Sequence, residues 1–410
     1  MTIDDNIFSG LKVLDVASFI AGPAAATILS DFGADVIKIE PPGFGDPYRA
    51  VTRIPPYPPA KASYTWQLNN RNKRSLALNL KSPAAKEILA KLVAETDVLV
   101  TNFPPHVKTS LGLAYDTVSA INPRLIYADL TGYGEKGPDA DKPGFDMTAY
   151  WGATGLMDVT HDAGSPPTLP IPGIGDHATA STLFSAIVTG LYRRERTGLG
   201  SHVTTSLLAE GIWAASDWIE AALNGAKFYP QHDRKVPPNA LLNPYCTSDN
   251  RWILLLSAQE KDWPGFVQAI GQPQLLEDPR FAETRQRAAN APQLVEVLDA
   301  LFATQPLNYW RDTLDKGRVI FGVVRTLEET AHDPQALAND IIVPLAEPTA
   351  AATHTVNSPM QVVGVQKAQP RRAPDVGEHT RAILSGLGFS EADIHNLEAD
   401  GVVSAAPPSI

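Results

Sequence analysis

Residues 11–40, LKVLDVASFIAGPAAATILSDFGADVIKIE, contain two short apolar runs separated by an alanine-rich segment. The runs at 11–16 and 36–40 are bounded by glycine or proline, which is typical of buried strands. The segment between them follows Gly22-Pro23 and is rich in good helix formers. This β-α-β pattern predicts two parallel strands joined by a crossover helix.

The same alternation continues downstream. Apolar runs at 75–80, 97–100 and 125–130 predict three more strands, with helices beginning at Ser82 and spanning 116–122. Ser82 is expected to cap its helix, because its hydroxyl can accept from a free amide and Pro83 has no amide to satisfy. Alternating strands and helices predict an α/β fold whose Rossmann-like parallel sheet is covered on both faces. The proline- and glycine-rich stretch 41–61 predicts an irregular loop.

The character of the chain changes after about residue 224. Helices are expected at 176–196 and 206–224, followed by a polar loop at 232–244 and a new strand at 251–255. We therefore expect a large Rossmann-like lobe from 1–224, a smaller α/β lobe from 225–330 and a C-terminal segment from 331–410. In that segment Ser390 and Asp393 form a capping-box pattern that predicts a last helix.

Composition restricts the class of protein. The chain has 410 residues, 44% hydrophobic and 19% charged, which is typical of a globular protein with more than one lobe. A formal net charge of -11 disfavours nucleic acid as a partner, so an anionic ligand needs local cations, helix N-termini or backbone amides. The single cysteine, Cys246, excludes an intramolecular disulfide and indicates a reducing compartment. With neither a signal peptide nor a long apolar stretch in view, a cytoplasmic protein without membrane contact is expected.

Gly132, Gly134 and Gly137 form a G-x-G-x-x-G pattern, which in a dinucleotide site opens a helix after the first strand. Here the pattern follows a late strand, and the next residues, PDADKPG, predict a loop. Nicotinamide binding is therefore not expected, although Glu40 stands where a ribose-binding acid could.

Asp176 follows Gly173 and Gly175 and begins the long predicted helix. Aspartate is a preferred N-cap, and the helix amides and dipole would keep its carboxylate ionised. A carboxylate beside glycines can also act as a covalent nucleophile. The local sequence leaves both roles open. His177 could be a general base, but a single histidine there is more often structural, and His202, His232 and His379 have no partners at ligand spacing, so no metal site is predicted.

Two further stretches predict ligand contacts. The run 69–74, NNRNKR, is a local basic patch, and Arg71, Lys73 and Arg74 are its candidates for binding phosphate, with a solvated turn as the alternative. Asn102 and Phe103 follow the strand at 97–100, at the sheet edge where open parallel sheets bind ligands.

Together these stretches resemble the family III coenzyme A transferases, the CaiB/BaiF family. The matching blocks lie at 10–42, 69–89, 97–105, 123–138, 173–203 and 377–394, and they include DVLVTNFPP, GIGDHATAS and GEHTRAILSGLGF. They are in order and cover nearly the whole chain. Within the family the chain is most similar to aryl- and 2-hydroxyacyl-CoA transferases, because TGYGEKGP is followed by PGFD.

The resemblance implies a CoA-transferase whose nucleophile is Asp176, with acyl-CoA and a small carboxylic acid as substrates and no tightly bound cofactor. It also implies coenzyme A contacts at Asn102 and Phe103, at Ser18 and Phe19, and at Leu68, and Phe145 is a further candidate contact. Members of the family are interlocked homodimers in which the C-terminal segment returns to the first lobe.

Departures from the family pattern narrow the substrate. Ile20 stands where formyl-CoA transferase has a glutamine, and HDRKVPPNALLNPY at 232–245 replaces its glycine-rich loop, which favours a larger and less polar acid than oxalate. Racemases of the same fold have a G-H-D motif, whereas this chain has Phe145 between Gly144 and Asp146. Losing the imidazole removes one of two bases that a racemase needs. An α-methylacyl-CoA racemase and a non-catalytic CoA-binding protein are the alternatives.

Overall fold

A computed structural model describes residues 6–228, 230–257, 259–350 and 352–405. The strands are β1 Lys12–Asp15, β2 Asp35–Glu40, β3 Arg74–Leu78, β4 Val98–Thr101, β5 Ile126–Thr131, β6 Ser201–Ser206, β7 Pro244–Cys246, β8 Trp252–Leu255, β9 Phe321–Val324, β10 Ile342–Thr349, β11 Ala352–Val356 and β12 Val403–Ser404.

The α-helices are α1 Ala21–Asp31, α2 Tyr64–Asn70, α3 Ala85–Glu95, α4 Pro105–Ser110, α5 Tyr115–Ile121, α6 Leu156–Val159, α7 Ile174–Thr197, α8 Leu207–Ala214, α9 Ser216–Leu223, α10 Trp263–Ala269, α11 Thr284–Ala289, α12 Ala291–Phe302, α13 Leu307–Lys316, α14 Leu327–Ala331, α15 Pro334–Ala338, α16 Thr380–Gly386 and α17 Glu391–Ala399. Short 3₁₀ segments lie at Pro47–Arg53, Glu260–Asp262 and Pro273–Leu276, and a π-helical segment at Asp146–Gly152.

The chain divides into two units. The larger unit comprises residues 1–157, 169–225 and 334–410, and the smaller comprises 158–168 and 226–333. Within the described residues no helix is both long and apolar enough to span a membrane.

The larger unit is built on a sheet with the strand order β12-β3-β2-β1-β4-β5-β6. Strands β1 to β6 pair in parallel, and β12 adds to β3 in the antiparallel sense. The order from β3 to β6 is that of a doubly wound Rossmann sheet. The order in which strands are added to the sheet reverses between β1 and β4, so a crevice opens at the carboxyl ends of these two parallel strands.

Both faces of this sheet are covered, because successive strand residues point to opposite sides. On one side Val13, Val98 and Ile126 pack against residues of α1 and α7. On the other side Leu14, Leu99 and Tyr127 pack with residues of α3, α5, α16 and α17. The predicted α/β fold with a parallel sheet is confirmed.

The smaller unit has its own antiparallel sheet in the order β7-β8-β9. One face of that sheet packs on α10, α12 and α13 around large buried side chains, which include Tyr245, Trp263, Phe266, Phe302 and Trp310.

Several local predictions agree with the structure and others do not. Strands β1 to β5 and β8 lie where the apolar runs predicted them, and Ser390 and Asp393 form the predicted capping box of α17. Ser82 does not cap a helix: α3 begins at Ala85 without a side-chain cap, and Ser82 forms the turn before it. The prediction missed β6, because its alternating polar residues (SHVTTS) suit an edge strand and lack an apolar run.

Candidate functional site

A cavity of about 490 Å³ opens at the carboxyl ends of β1 and β4, where the strand order reverses. Seven segments of the larger unit line this switch-point cavity. The lining includes Ser18, Phe19, Ile20, Tyr48, Val51, Tyr57, Asn102, Phe103, Gly132, Lys142, Gly144, Phe145, Asp146, Met147, Gly173, Asp176 and Leu207. It therefore brings together six of the residues proposed from the sequence, namely Asp176, Ser18, Phe19, Asn102, Phe103 and Phe145.

Asp176 lies in the first turn of α7 but does not cap it. The N-cap is Gly173, in the left-handed region at φ 94°, and the helix begins at Ile174. The prediction of Asp176 as N-cap is therefore wrong. Asp146 provides the cap instead, since its Oδ2 accepts a 2.7 Å hydrogen bond from the Gly173 amide. Asp146 belongs to the π-helical segment and lies 30 residues before Asp176, so no sequence pattern near the start of α7 indicates this cap.

The electrostatics of Asp176 follow from this arrangement. Burial and, to a lesser extent, the charge of Asp146 together raise its pKa to about 7. Among the described residues no helix amide donates to the Asp176 carboxylate, so the amides do not hold it ionised as the sequence predicted. The carboxylate of Asp176 therefore gains and loses its proton close to neutral pH. Burial likewise raises the pKa of Asp146, although the backbone amides that it accepts oppose the rise.

Asn102 links the loop after β4 to the loop after β1 by hydrogen bonds, and these two loops flank the crevice. Its Oδ1 accepts from the Ser18 amide, and its Nδ2 donates to the Ser18 carbonyl, each at 2.8 Å. Both ends of the amide are thus engaged by the loop that follows β1. The structure gives Asn102 a positioning role at the mouth of β4 that the sequence did not suggest.

Aromatic rings form the wall beside Asp176. Phe19 has a positive φ of 65°, and its ring meets the edges of Tyr48 and Phe145, with centroids 6.5 and 5.8 Å apart. Phe145 is 58% exposed. This wall gives the cavity a largely apolar character on the side where the G-H-D histidine of a racemase is replaced by phenyl.

The cations of the basic patch lie elsewhere. Lys73 is buried and donates to Asp15 at 2.8 Å and to three further oxygens, while burial lowers its pKa to about 8. Arg71 makes a buried two-pronged bond to Asp31, at 2.9 and 2.6 Å. Arg74 pairs with Asp35 at the far end of β2.

Neither these three cations nor Leu68, whose carbonyl accepts from Arg71, line the switch-point cavity. Their role in binding coenzyme A stays a prediction. The sequence could not show their carboxylate partners, which are 39 to 58 residues away.

A second cavity of about 600 Å³ lies at the carboxyl ends of β1, β2 and β3 and shares Ser18 and Phe103 with the first. We refer to it as the β3 cavity. Pro41, Phe44, Leu80 and Lys81 are among its lining. Sequence reasoning missed Lys81, although its position three residues after β3 was the available signal.

His177 is held on both sides. Its Nδ1 is 2.8 Å from the Gly173 carbonyl, and its Nε2 is 3.0 Å from Asn69 Oδ1. These bonds agree with the structural role that was judged more frequent for a histidine at this position.

Glu40 is also occupied, because Arg49 binds it with two hydrogen bonds and the Ser75 hydroxyl donates to it. It therefore has no free oxygen directed at a ribose. The glycine pattern at 132–137 lies in a loop, as predicted.

His202 has partners that the sequence did not reveal. Its Nε2 lies 3.9 Å from both Asp129 Oδ2 and Glu135 Oε1, because β6 pairs with β5. These three could in principle hold a metal ion. The ammonium of Lys108, however, binds Asp129 and lies 3.5 Å from Glu135, so a cation of the protein itself already lies between the two carboxylates. We assign no metal to it.

The strand order and the cavity at its reversal define an α/β protein with a Rossmann-type ligand site. The family model described as CoA-transferase family III matches residues 8–380. The chain is 32% identical over 405 residues to the cinnamoyl-CoA:phenyllactate CoA-transferase of Clostridium sporogenes, covering 98% of each chain. It is 33% identical over 401 residues to the (R)-2-hydroxy-4-methylpentanoate CoA-transferase of Clostridioides difficile, covering 97% of this chain and 99% of the relative.

A solved structure of a CaiB/BaiF family protein from Brucella suis superposes with a TM-score of 0.83 at 28% identity, covering 93% of this chain and 99% of the other. The chain therefore belongs to CoA-transferase family III, and it is a CoA-transferase. The resemblance inferred from the sequence motifs is confirmed.

Proposed function

We propose that this enzyme moves coenzyme A from an acyl-CoA donor to a carboxylic acid through covalent intermediates on Asp176. The observation that carries the proposal is the Asp176 side chain itself. It lines the switch-point cavity and, among the described residues, its carboxylate accepts no hydrogen bond. A carboxylate without partners beside a substrate cavity is available to attack a carbonyl carbon.

The proposed reaction has four steps. An Asp176 oxygen attacks the donor thioester carbon, the C–S bond breaks, and an aspartyl-acyl anhydride and a CoA thiolate result. The thiolate attacks the aspartyl carbon and releases the donor acid, which leaves a CoA thioester on Asp176. The acceptor carboxylate displaces the thiolate to give a second anhydride, and the thiolate then takes the new acyl group and frees Asp176. The apolar wall of Phe19 and Phe145 supports this chemistry, since an anhydride must be kept from water.

We further propose how the substrate lies. The acyl group occupies the switch-point cavity, where Ser18, Phe19, Asn102, Phe103 and Phe145 surround it. The nucleotide part extends into the adjoining β3 cavity, where Lys81 can pair with a phosphate. The shared lining residues support this path, because one ligand can pass from one cavity into the other.

The acids are proposed to be of the aryl or 2-hydroxyacyl type. The apolar lining, with Ile20 and Met147 beside the aromatic rings, favours a bulky, weakly polar side chain over formate or oxalate. The substrates in the names of the Clostridium sporogenes and Clostridioides difficile relatives are of this type. A comparison of phenyllactate, 2-hydroxy-4-methylpentanoate and oxalate as acceptors tests it, and fastest transfer to oxalate contradicts it.

The enzyme is proposed to be a homodimer, interlocked as in its family. Helix α9 buries none of its residues although it carries Trp218 and Leu223, which are 62% and 77% exposed, and Trp213 of α8 is 74% exposed. Apolar surface of this kind is usually covered in the assembled protein. We also propose a cytoplasmic location and no tightly bound cofactor, nucleic acid or membrane partner, in keeping with the acidic charge and single cysteine.

Trapping with hydroxylamine tests the nucleophile. After incubation with acyl-CoA and hydroxylamine, mass spectrometry is expected to find a hydroxamate at Asp176 in the wild type and none in Asp176→Asn. A racemase instead exchanges the substrate α-proton with deuterated water and needs no second acid. A non-catalytic binding protein retains acyl-CoA without an adduct. Full transferase activity in Asp176→Asn overturns the assignment.

A further inference from the structure

Two tyrosines share the switch-point cavity with Asp176. Tyr48 belongs to the 3₁₀ segment Pro47–Arg53 and is 3% exposed, and Tyr57 lies on the loop that follows. Both line the cavity beside Asp176, and their hydroxyls interact with each other. They come from the proline- and glycine-rich stretch 41–61, which the sequence predicted as an irregular loop without assigning it chemistry.

Buried charges hold Tyr48 in place. The carboxylate of Asp46 accepts from the Tyr48 amide at 2.9 Å and from the Phe19 amide at 3.4 Å. Lys38 neutralises Asp46 at 3.2 Å, with both side chains about 1% exposed. The Tyr48 ring also packs on Phe19. The loop is thus fixed to the sheet at the residue that carries the buried hydroxyl.

The start of α7 is poorly suited to stabilise a developing oxyanion at Asp176, because Asp146 already accepts the Gly173 amide at 2.7 Å and its carboxylate lies at the same helix end. Attack on a thioester or anhydride places negative charge on a carbonyl oxygen in every step, and such an oxygen needs a fixed donor. Hydroxyls in the same cavity are suited to this task.

The tyrosines stay protonated at neutral pH. Burial raises the pKa of both Tyr48 and Tyr57, and the negative charge of Asp176 raises each further. The interaction between the hydroxyls raises the pKa of Tyr48 and lowers that of Tyr57. Tyr48 is buried and Tyr57 is the more exposed of the two, so the hydroxyl of Tyr57 is the one placed to donate to a substrate in the cavity.

Building on the function proposed above, we propose that Tyr57 is a catalytic residue whose hydroxyl donates to the oxyanion formed at each attack, and that Tyr48 is a positioning residue that orients it. As an oxygen or sulfur nucleophile adds to the carbonyl carbon, the π electron pair moves to the carbonyl oxygen, which accepts the Tyr57 hydrogen bond. Collapse returns the pair to the carbon and expels the thiolate or carboxylate. Tyr57 keeps its proton throughout.

Single-turnover hydroxylamine trapping with Tyr57→Phe, Tyr48→Phe and the double variant tests the inference. Tyr150→Phe is the matched control, because Tyr150 is also buried but does not line the cavity. Tyr57→Phe is expected to slow adduct formation about 10²- to 10³-fold, as for the loss of one oxyanion donor, with acyl-CoA affinity within about twofold of wild type. Tyr150→Phe is expected to retain the wild-type rate.

The positioning role of Tyr48 is tested by comparing the single variants with the double variant. Tyr48→Phe is expected to slow the wild type but to have little further effect in the Tyr57→Phe background, since it acts only through Tyr57. An equal slowing in both backgrounds overturns the role of Tyr48, and an unchanged rate in Tyr57→Phe overturns that of Tyr57. If the wild type forms no adduct at Asp176, the proposed function fails as well. An adduct that forms equally fast in wild type and Tyr57→Phe removes the tyrosine inference alone.

Discussion

The raised pKa of Asp176 predicts that the nucleophile destabilises the folded enzyme at neutral and higher pH. A rise from 3.8 to about 7 corresponds to about 4 kcal/mol, which is an upper limit because solvent reaches part of the side chain. Between about pH 4 and pH 7 the native protein retains a proton at Asp176 that the unfolded chain has released. The free energy of unfolding therefore falls as the pH rises through this interval and stays lower above it.

Asp176→Asn removes this dependence, since asparagine carries no proton to lose. Between pH 5 and pH 8 we expect the free energy of unfolding of the variant to increase relative to that of the wild type by about 2 kcal/mol. This figure corresponds to the two pH units between pH 5 and the pKa of about 7, reduced because solvent reaches part of the side chain. Urea unfolding at both pH values and one protein concentration measures it. Asp116→Asn is the matched control, because Asp116 lies in the first turn of α5 and is exposed. A difference between Asp176→Asn and wild type that stays constant with pH, or shrinks as the pH rises, refutes the reasoning.

Two further predictions follow from the site and the surface. Asp146→Asn keeps an acceptor for the Gly173 amide but removes a charge that raises the Asp176 pKa. The pH midpoint of adduct formation is therefore expected to fall below about 7, and an unchanged or higher midpoint contradicts this prediction. The double variant Trp213→Lys, Trp218→Lys is expected to be a monomer by light scattering. Leu327→Lys, which changes an equally exposed residue of the smaller unit, is expected to remain a dimer. A dimer in both cases contradicts the proposed interface.

Local sequence predicted the fold because each strand of the parallel sheet is an apolar run of its own. The runs that became β1 to β5 alternate with helix formers, so a parallel, Rossmann-like sheet followed from general rules of crossover connections. Strand β6 was not predicted because it lies at the edge of the sheet, where polar residues are tolerated and the apolar signal in the sequence is weak.

The site was predictable where its residues follow strands, and not where it depends on distant partners. Asn102 and Phe103 follow β4, so the carboxyl-edge rule indicated them, and Ser18 and Phe19, which follow β1, were indicated by the family resemblance. Arg71 and Lys73 looked like free cations in the sequence, but Asp31 and Asp15 bind them after folding. Charge partners of this kind depend on how α1 and β1 pack, which no run of neighbouring residues records.

The sequence by itself determined the sheet, the family and Asp176 as the residue of interest, because these depend on local patterns and on ordered motifs. Only the tertiary structure decided what surrounds Asp176. It showed that Asp146 caps the helix in its place, that burial beside a second carboxylate raises its pKa to about 7, and that Tyr48 and Tyr57 share its cavity. Burial and Coulomb interactions depend on distance in space, and folding places these four residues together from segments that are far apart along the chain.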